Sequence, residues 1–166
     1  MVSDAESILR LSALLDSETN FMLFEPGERT TALEEQEDLL RKFSESSDVA
    51  MMVAVDGINV VGFAMTTRTP FKRIRHLFRL VIGVQKSYWG AGVGKQLMDA
   101  AEQWAASVGG LVLELTVVAD NARAISLYEK CGFQIDGTRP KSLLIDGKLV
   151  DELYMSKFLD QEAFAK

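Results

Sequence analysis

Between Val84 and Lys95 the chain reads Val-Gln-Lys-Ser-Tyr-Trp-Gly-Ala-Gly-Val-Gly-Lys, with glycines at the alternate positions 90, 92 and 94. A strand-like pattern ends just before this stretch and a helical one begins just after it. Glycine lets a backbone turn tightly and approach a ligand with no Cβ in the way. The first N–H groups of the following helix have no carbonyl one turn back, so they and the helix dipole favour an anion. The segment therefore suits a pyrophosphate. Its spacing is not Gly-x-Gly-x-x-Gly, which disfavours a Rossmann dinucleotide site, and it lacks the Gly-Lys-Ser/Thr ending of a P-loop. Taken alone, it is equally a glycine-rich loop that caps a helix.

A second segment follows about a strand's length later. It reads Asn121-x-x-Ala124-Ile125-x-Leu127-Tyr128-Glu129-Lys130-x-Gly132-Phe133. Trp89-Gly-Ala-Gly-Val-Gly94 followed by Asn121 to Phe133 resembles the two signature motifs of the GNAT N-acetyltransferases. The resemblance extends over roughly residues 3–159, including the strand with Asp151-Glu152-Leu153-Tyr154-Met155. Either motif alone is only suggestive; the pair at this separation is specific. The whole pattern looks like the bacterial branch that acetylates small amines and amino acids.

The resemblance implies an α/β fold in one domain, residues 1–166. Its sheet is expected to be mixed and mostly antiparallel, with a central splayed pair of parallel strands and flanking helices. It also implies acetyl-CoA as cofactor. Backbone groups of Ile82, Gly83 and Val84 are then expected to pair with the pantetheine arm where the two parallel strands part. The N–H groups of Gly90, Ala91, Gly92, Val93, Gly94 and Lys95 are expected to hold the pyrophosphate. Asn121 is expected to hydrogen-bond the cofactor's amide region, as well as serving as a helix N-cap. Tyr128 is expected near the sulfur, as proton donor to the departing thiolate.

The chemistry agrees with these roles. An amine must be neutral to attack a thioester, and the developing oxyanion needs a backbone donor, for which the N–H of Val84 is the candidate. A phenol with an ordinary pKa near 10 stays protonated at neutral pH and can serve as the acid. Direct attack in a ternary complex is expected. Cys131 shares the apolar stripe of its helix with Ala124, Leu127 and Tyr128, so it is expected to be structural.

This chain departs from the family pattern at three places. Many members carry Arg or Gln where Trp89 stands, so one side-chain contact to the phosphates is missing. Trp89 is expected to cover the adenine–ribose region or to pack beneath the loop. Some relatives place a carboxylate base on the strand before Asn121; here Thr116 holds the position used by members that acetylate protein N-termini. Glu114 lies two residues earlier, on the same strand face, and is the candidate base, with a water relay as the alternative. Family members also begin with a strand, whereas residues 2–9 already read as helix. If that strand is absent, one sheet edge is open, and a second copy of the chain could cover it to give a homodimer.

The elements that must position these residues can be traced in order. Residues 3–17 read as a helix, with Ser3 and Glu6 in capping-box spacing and Ile8, Leu11, Leu14 and Leu15 at helical intervals. Pro26-Gly27 interrupts, and residues 31–43 form a second amphipathic helix. Residues 49–55 and 60–67 form a hairpin about Asp56-Gly57-Ile58-Asn59. A strand covers 75–84, with Gly83 as a bulge or a close backbone approach. A helix over 93–108 stops at Gly109-Gly110. Strand 111–118, helix 121–131, strand 133–139 and strand 150–158 complete the chain. Helices, antiparallel strands and then strand–helix–strand–helix–strand argue for a mixed α/β sheet.

Phe21 to Glu28, Arg68 to Arg75 and Arg139 to Lys148 are expected to line the acceptor pocket. Glu25 and Glu28 suit a cationic amine, and Arg73 or Arg75 a substrate carboxylate. These imply different substrates. His76, the sole histidine, is expected to be partly buried and structural. The formal net charge of −6 argues against general nucleic-acid binding, which needs clustered cations. The one basic concentration, Lys72, Arg73, Arg75, His76 and Arg79, reads as a solvated face or a surface for an anionic cofactor. No apolar run approaches the roughly 18 residues of a membrane span, and the N-terminus lacks a signal-peptide pattern, so a cytoplasmic location is expected. Two other functions remain open on the sequence: acetylation of a protein N-terminus or lysine, and a non-catalytic acyl-CoA-binding module.

Overall fold

The computed structural model describes residues 2–159. A 3₁₀ turn at Val2–Asp4 leads into α1 (Ala5–Glu18), followed by α2 (Leu33–Glu45), β1 (Val49–Asp56), β2 (Asn59–Arg68) and β3 (Leu77–Val84). Then come α3 (Val93–Ser107), β4 (Val112–Val118), α4 (Ala122–Lys130), β5 (Gln134–Ile145) and β6 (Lys148–Phe158). The strands form one six-stranded sheet in the order β1-β2-β3-β4-β6-β5. All neighbours are antiparallel except β3 and β4. The mixed, mostly antiparallel sheet with a central parallel pair is as expected.

Strand alternation sends successive side chains to opposite faces. On one face Phe78 and Leu80 of β3, with Leu113, Leu115 and Val117 of β4, pack with Leu97, Met98, Ala101 and Ala105 of α3 and with Tyr128 of α4. On the other, Phe63 and Met65 of β2 meet Ile8, Leu11 and Leu15 of α1 and Leu40 of α2. The helices α1 and α2 cover the β1–β2 end of that second face, and α1 reaches β3 at Gly83.

Several local features differ from the sequence expectations. The Ser3–Glu6 capping box is replaced by the 3₁₀ turn, and α1 starts at Ala5 with no side-chain cap from Asp4. In α2 it is Glu35 whose carboxylate accepts the Ala32 N–H, at 3.0 Å. Gly83 makes no bulge, since its register with Phe63 is continuous. A Cβ there would lie 2.5 Å from Leu15 and 3.1 Å from Phe63, so the close approach is to α1. The final strands are longer than their apolar patterns, because β5 continues through a register shift between Arg139 and Leu143. Lys141 takes φ 52° in that bulge, and its N–H donates to Asp151 at 2.7 Å. No strand precedes α1 among the described residues, so β1 is an edge paired only with β2.

Candidate active site

The parallel strands β3 and β4 are in register only over Leu77–Val112, Phe78–Leu113 and Arg79–Glu114. Beyond that step they part, while β3 stays paired with β2 as far as Val84. Gln85 donates its N–H to Val61, which makes 61 and 85 a hydrogen-bonded pair. Alternation along the ladder then turns the peptide groups of Ile82 and Val84 away from β2 and into the gap. Those of Gly83 face β2. The Val84 carbonyl is taken by the indole N–H of Trp89 at 2.7 Å. The groups of Ile82 and the N–H of Val84 face the gap without a strand partner.

The glycine loop lies at the open end of that gap. Gly90 and Gly92 have φ values of 82° and 84°, a left-handed conformation that carries no penalty only for glycine. Gly92 is the N-cap of α3, and no side chain caps the helix. The first helical bond is from Gln96 to the Gly92 carbonyl, so the N–H groups of Gly92, Val93, Gly94 and Lys95 have no acceptor among the described residues. A Cβ on Gly90 would meet nothing within 4 Å. Gly94 differs: a Cβ there would lie 2.9 Å from Leu127, so it allows α3 and α4 to begin side by side. The loop is held from below by Glu18, which accepts the Lys86 N–H at 2.8 Å, and by Asp56, which accepts the Tyr88 hydroxyl at 2.7 Å.

At the start of α4 the Asn121 side-chain oxygen accepts the Ala124 N–H at 3.1 Å, so the N-cap role is real. Its carboxamide nitrogen has no partner among the described residues. Tyr128 is 7% exposed and tilts against Phe133 at 6.1 Å between ring centroids. Its hydroxyl makes no hydrogen bond among the described residues, yet it is not one of the sealed polar atoms. Burial, with a smaller effect from nearby Cys131, pushes its pKa up from 10.0 to about 12. The phenol is therefore a held proton at any physiological pH.

Glu114 sits at the last paired step, on the face opposite Leu113 and Leu115, and accepts the Arg79 Nε–H at 2.9 Å. The pair borders a cavity of about 350 Å³ lined by Thr67, Arg68, Thr69, Pro70, Ile74, Leu77, Arg79 and Glu114. The cation that the structure brings to the edge of the gap is thus Arg79. Arg73 and Arg75 are exposed and do not line the cavity. Arg79 is recognisable in sequence only through its alternation with buried Phe78 and Leu80. Glu25 and Glu28 are exposed in their own turn, where the Glu28 carboxylate accepts the Glu25 N–H at 2.9 Å. His76 is exposed rather than partly buried; its contribution is its carbonyl, which accepts the N–H groups of Leu111 and Val112. Cys131 is buried in the core, as expected.

The Acetyltransferase (GNAT) family model matches residues 13–133. The chain belongs to this family. An acetyltransferase of the GNAT family from Streptococcus pneumoniae superposes with a TM-score of 0.91 at 29% identity, over 96% of this chain and 95% of that one. YncA of Salmonella typhimurium, solved with its cofactor acetyl-CoA, superposes at 0.86 with 19% identity, over 100% of this chain and 94% of that one. Among curated proteins, the L-amino acid N-acetyltransferase AaaT of Escherichia coli is 33% identical over 111 residues, 64% of this chain. The L-methionine sulfoximine/L-methionine sulfone acetyltransferase of Pseudomonas aeruginosa is 30% identical over 91 residues, 55% of this chain. The matched stretches span 66% and 53% of those two proteins.

Acetyl-CoA is the acyl donor of GNAT acetyltransferases, and this member's residues fit it on two observations. One is the row of N–H groups at Gly92–Lys95, without an acceptor among the described residues; the other is the peptide groups of Ile82 and the N–H of Val84, which face the gap without a strand partner. The pyrophosphate would be held by the first and the pantetheine arm by the second.

Proposed function

We propose that this protein is an N-acetyltransferase that acetylates the primary amine of a small molecule, an amino acid or a close relative of one, within a ternary complex. The observation that carries the substrate class is the Arg79–Glu114 pair at the point where β3 and β4 part, beside a small polar cavity. A guanidinium and a carboxylate side by side complement the carboxylate and ammonium of a zwitterion. The names of the E. coli and P. aeruginosa relatives point the same way.

When bound, acetyl-CoA supplies a thioester carbonyl to the attacking amine. The chain supplies the rest. Glu114, directly or through a water, takes the proton that keeps the amine from attacking. The N–H of Val84 faces the gap as a donor to developing negative charge, where a preorganised dipole acts without rearrangement. The Tyr128 phenol, kept protonated by burial, provides a proton to the departing sulfur. In this reading residues 1–166 work as one domain, supported by the two cores lying on opposite faces of one sheet. The open β1 edge is where a second copy would pair, and sedimentation as a monomer at micromolar concentration would count against that.

The test is thiol release from acetyl-CoA with L-amino acids, polyamines and N-terminal peptides as acceptors. Turnover with amino acids, with Arg79→Ala raising the acceptor KM at least about tenfold and leaving the acetyl-CoA KM unchanged, is expected. Turnover with peptides alone would replace the small-molecule reading by protein acetylation. Binding of acetyl-CoA without turnover on any acceptor would favour a non-catalytic module.

A further inference from the structure

Trp89 stands where many family members carry Arg or Gln, and its indole is fixed across the end of β3 by the bond to the Val84 carbonyl. It cannot supply the missing charge. The loop's own cation, Lys95, is held by both carboxylate oxygens of Asp99, at 2.9 and 2.6 Å. Arg123 is in a different state. It is the second residue of α4, exposed, and in no ion pair among the described residues. Its guanidinium carbon lies 4.8 Å from the centroid of the Trp89 ring.

That position is electrostatically odd. A cation in the first turn of a helix opposes the positive end of the helix dipole, and here a second helix, α3, opens beside it, as the close approach of Gly94 and Leu127 requires. Stacking on an indole offsets part of the cost and fixes the guanidinium plane. An anion arriving between the two helix starts would remove the rest. Arg presents a flat fork of N–H donors that matches phosphate oxygens.

We propose that Arg123, stacked on Trp89, is a specificity-determining residue for the phosphate groups of the acyl donor, replacing from α4 the cation absent at position 89. The proposal rests on the acetyl-CoA reading above and adds the side chain that discriminates a phosphorylated donor from an unphosphorylated one. The Trp–Arg stack is then a unit: the ring positions the charge and the charge recognises the ligand.

The experiment compares acetyl-CoA, acetyl-dephospho-CoA and acetyl-pantetheine as donors for wild type, Arg123→Met and Arg123→Lys. Arg123→Met is expected to raise the acetyl-CoA KM about tenfold, with kcat and the acetyl-pantetheine kcat/KM unchanged. Arg123→Lys should recover part of the loss. Trp89→Leu, which removes the platform but not the charge, is expected to lose donor discrimination in the same direction. The acetyl-dephospho-CoA series assigns the contact: an undiminished penalty places it on the pyrophosphate, and a vanished one on the 3′-phosphate. Equal losses with acetyl-CoA and acetyl-pantetheine would make Arg123 structural and overturn the proposal, as would no loss with either. Wild-type protein that does not bind acetyl-CoA at all would overturn the acetyltransferase reading itself, and this inference with it.

Discussion

Tyr128 is the residue whose surroundings most clearly differ from those of a free side chain. Its hydroxyl has no hydrogen-bonding partner among the described residues, its ring is buried, and its pKa is pushed from 10.0 to about 12. Removing that one oxygen takes away the proposed acid while leaving the ring to pack, so Tyr128→Phe is expected to lower kcat by about 10²- to 10⁴-fold. Calorimetric affinity for acetyl-CoA should be unchanged; a matching loss of affinity would instead make the hydroxyl a binding contact. The pH dependence follows from the sign of the shift. The unfolded phenol ionises near 10.0 and the folded one near 12, so the stabilisation is complete below pH 10 and is lost as pH rises from 10 towards 12. An alkaline fall in kcat below pH 10 would therefore belong to another group. Thr66 gives a second prediction of this kind. It is fully buried, and its hydroxyl has no partner among the described residues. Thr66→Val replaces an unsatisfied polar atom by a methyl group of similar size, and should stabilise the fold by about 1 kcal/mol, raising Tm by about 2–4 °C. A lower Tm would mean that the hydroxyl is hydrogen-bonded in solution.

At the scale of elements, the loop–helix unit at Gly90–Lys95 and the helix at Asn121–Cys131 were legible because their signals are local: alternate glycines, helical apolar spacing, an N-cap. What sets the site between them was not. The parting of β3 from β4 after Arg79–Glu114 is a property of two strands about 35 residues apart in the chain, and neither strand carries a mark of it. The length of β5 was hidden for a different reason: Pro140 and Lys141 interrupt the alternation, and the strand resumes only because Asp151 holds the bulge. Arg123 was passed over since its neighbour Trp89 is close only in space. Gly83 was noticed as a bulge or a close approach, and the approach is to a neighbour the sequence does not point to. Its missing side chain makes room for Leu15 of α1, so Gly83→Ala should cost about 1–3 kcal/mol as α1 is pushed off the sheet. Urea denaturation reads this directly, and an unchanged midpoint would show that Leu15 moves aside freely.

Across the whole molecule, the glycine loop and the β5–β6 hairpin are both tied to the end of α1 by bonds between distant segments. Glu18, the last residue of α1, holds the Lys86 N–H beneath the glycine loop. Asn20, just beyond it, donates to Asp146 at the tip of the β5–β6 hairpin at 2.9 Å. A change at Glu18 should therefore be felt on both sides: Glu18→Ala is expected to raise the KM of donor and acceptor alike by about 3- to 10-fold in an initial-rate matrix. An effect confined to one substrate would show that the two sides are independent. The chain's single cysteine stands apart from all of this. Cys131 lies buried in the α3–α4 core, and burial raises its pKa, so little of it is thiolate, the form that oxidants attack. Catalysis should then be indifferent to redox conditions, with equal rates after exposure to hydrogen peroxide or dithiothreitol, and Cys131→Ala should behave as the parent does. A peroxide-sensitive rate that this substitution abolishes would place the thiol within reach of solvent after all.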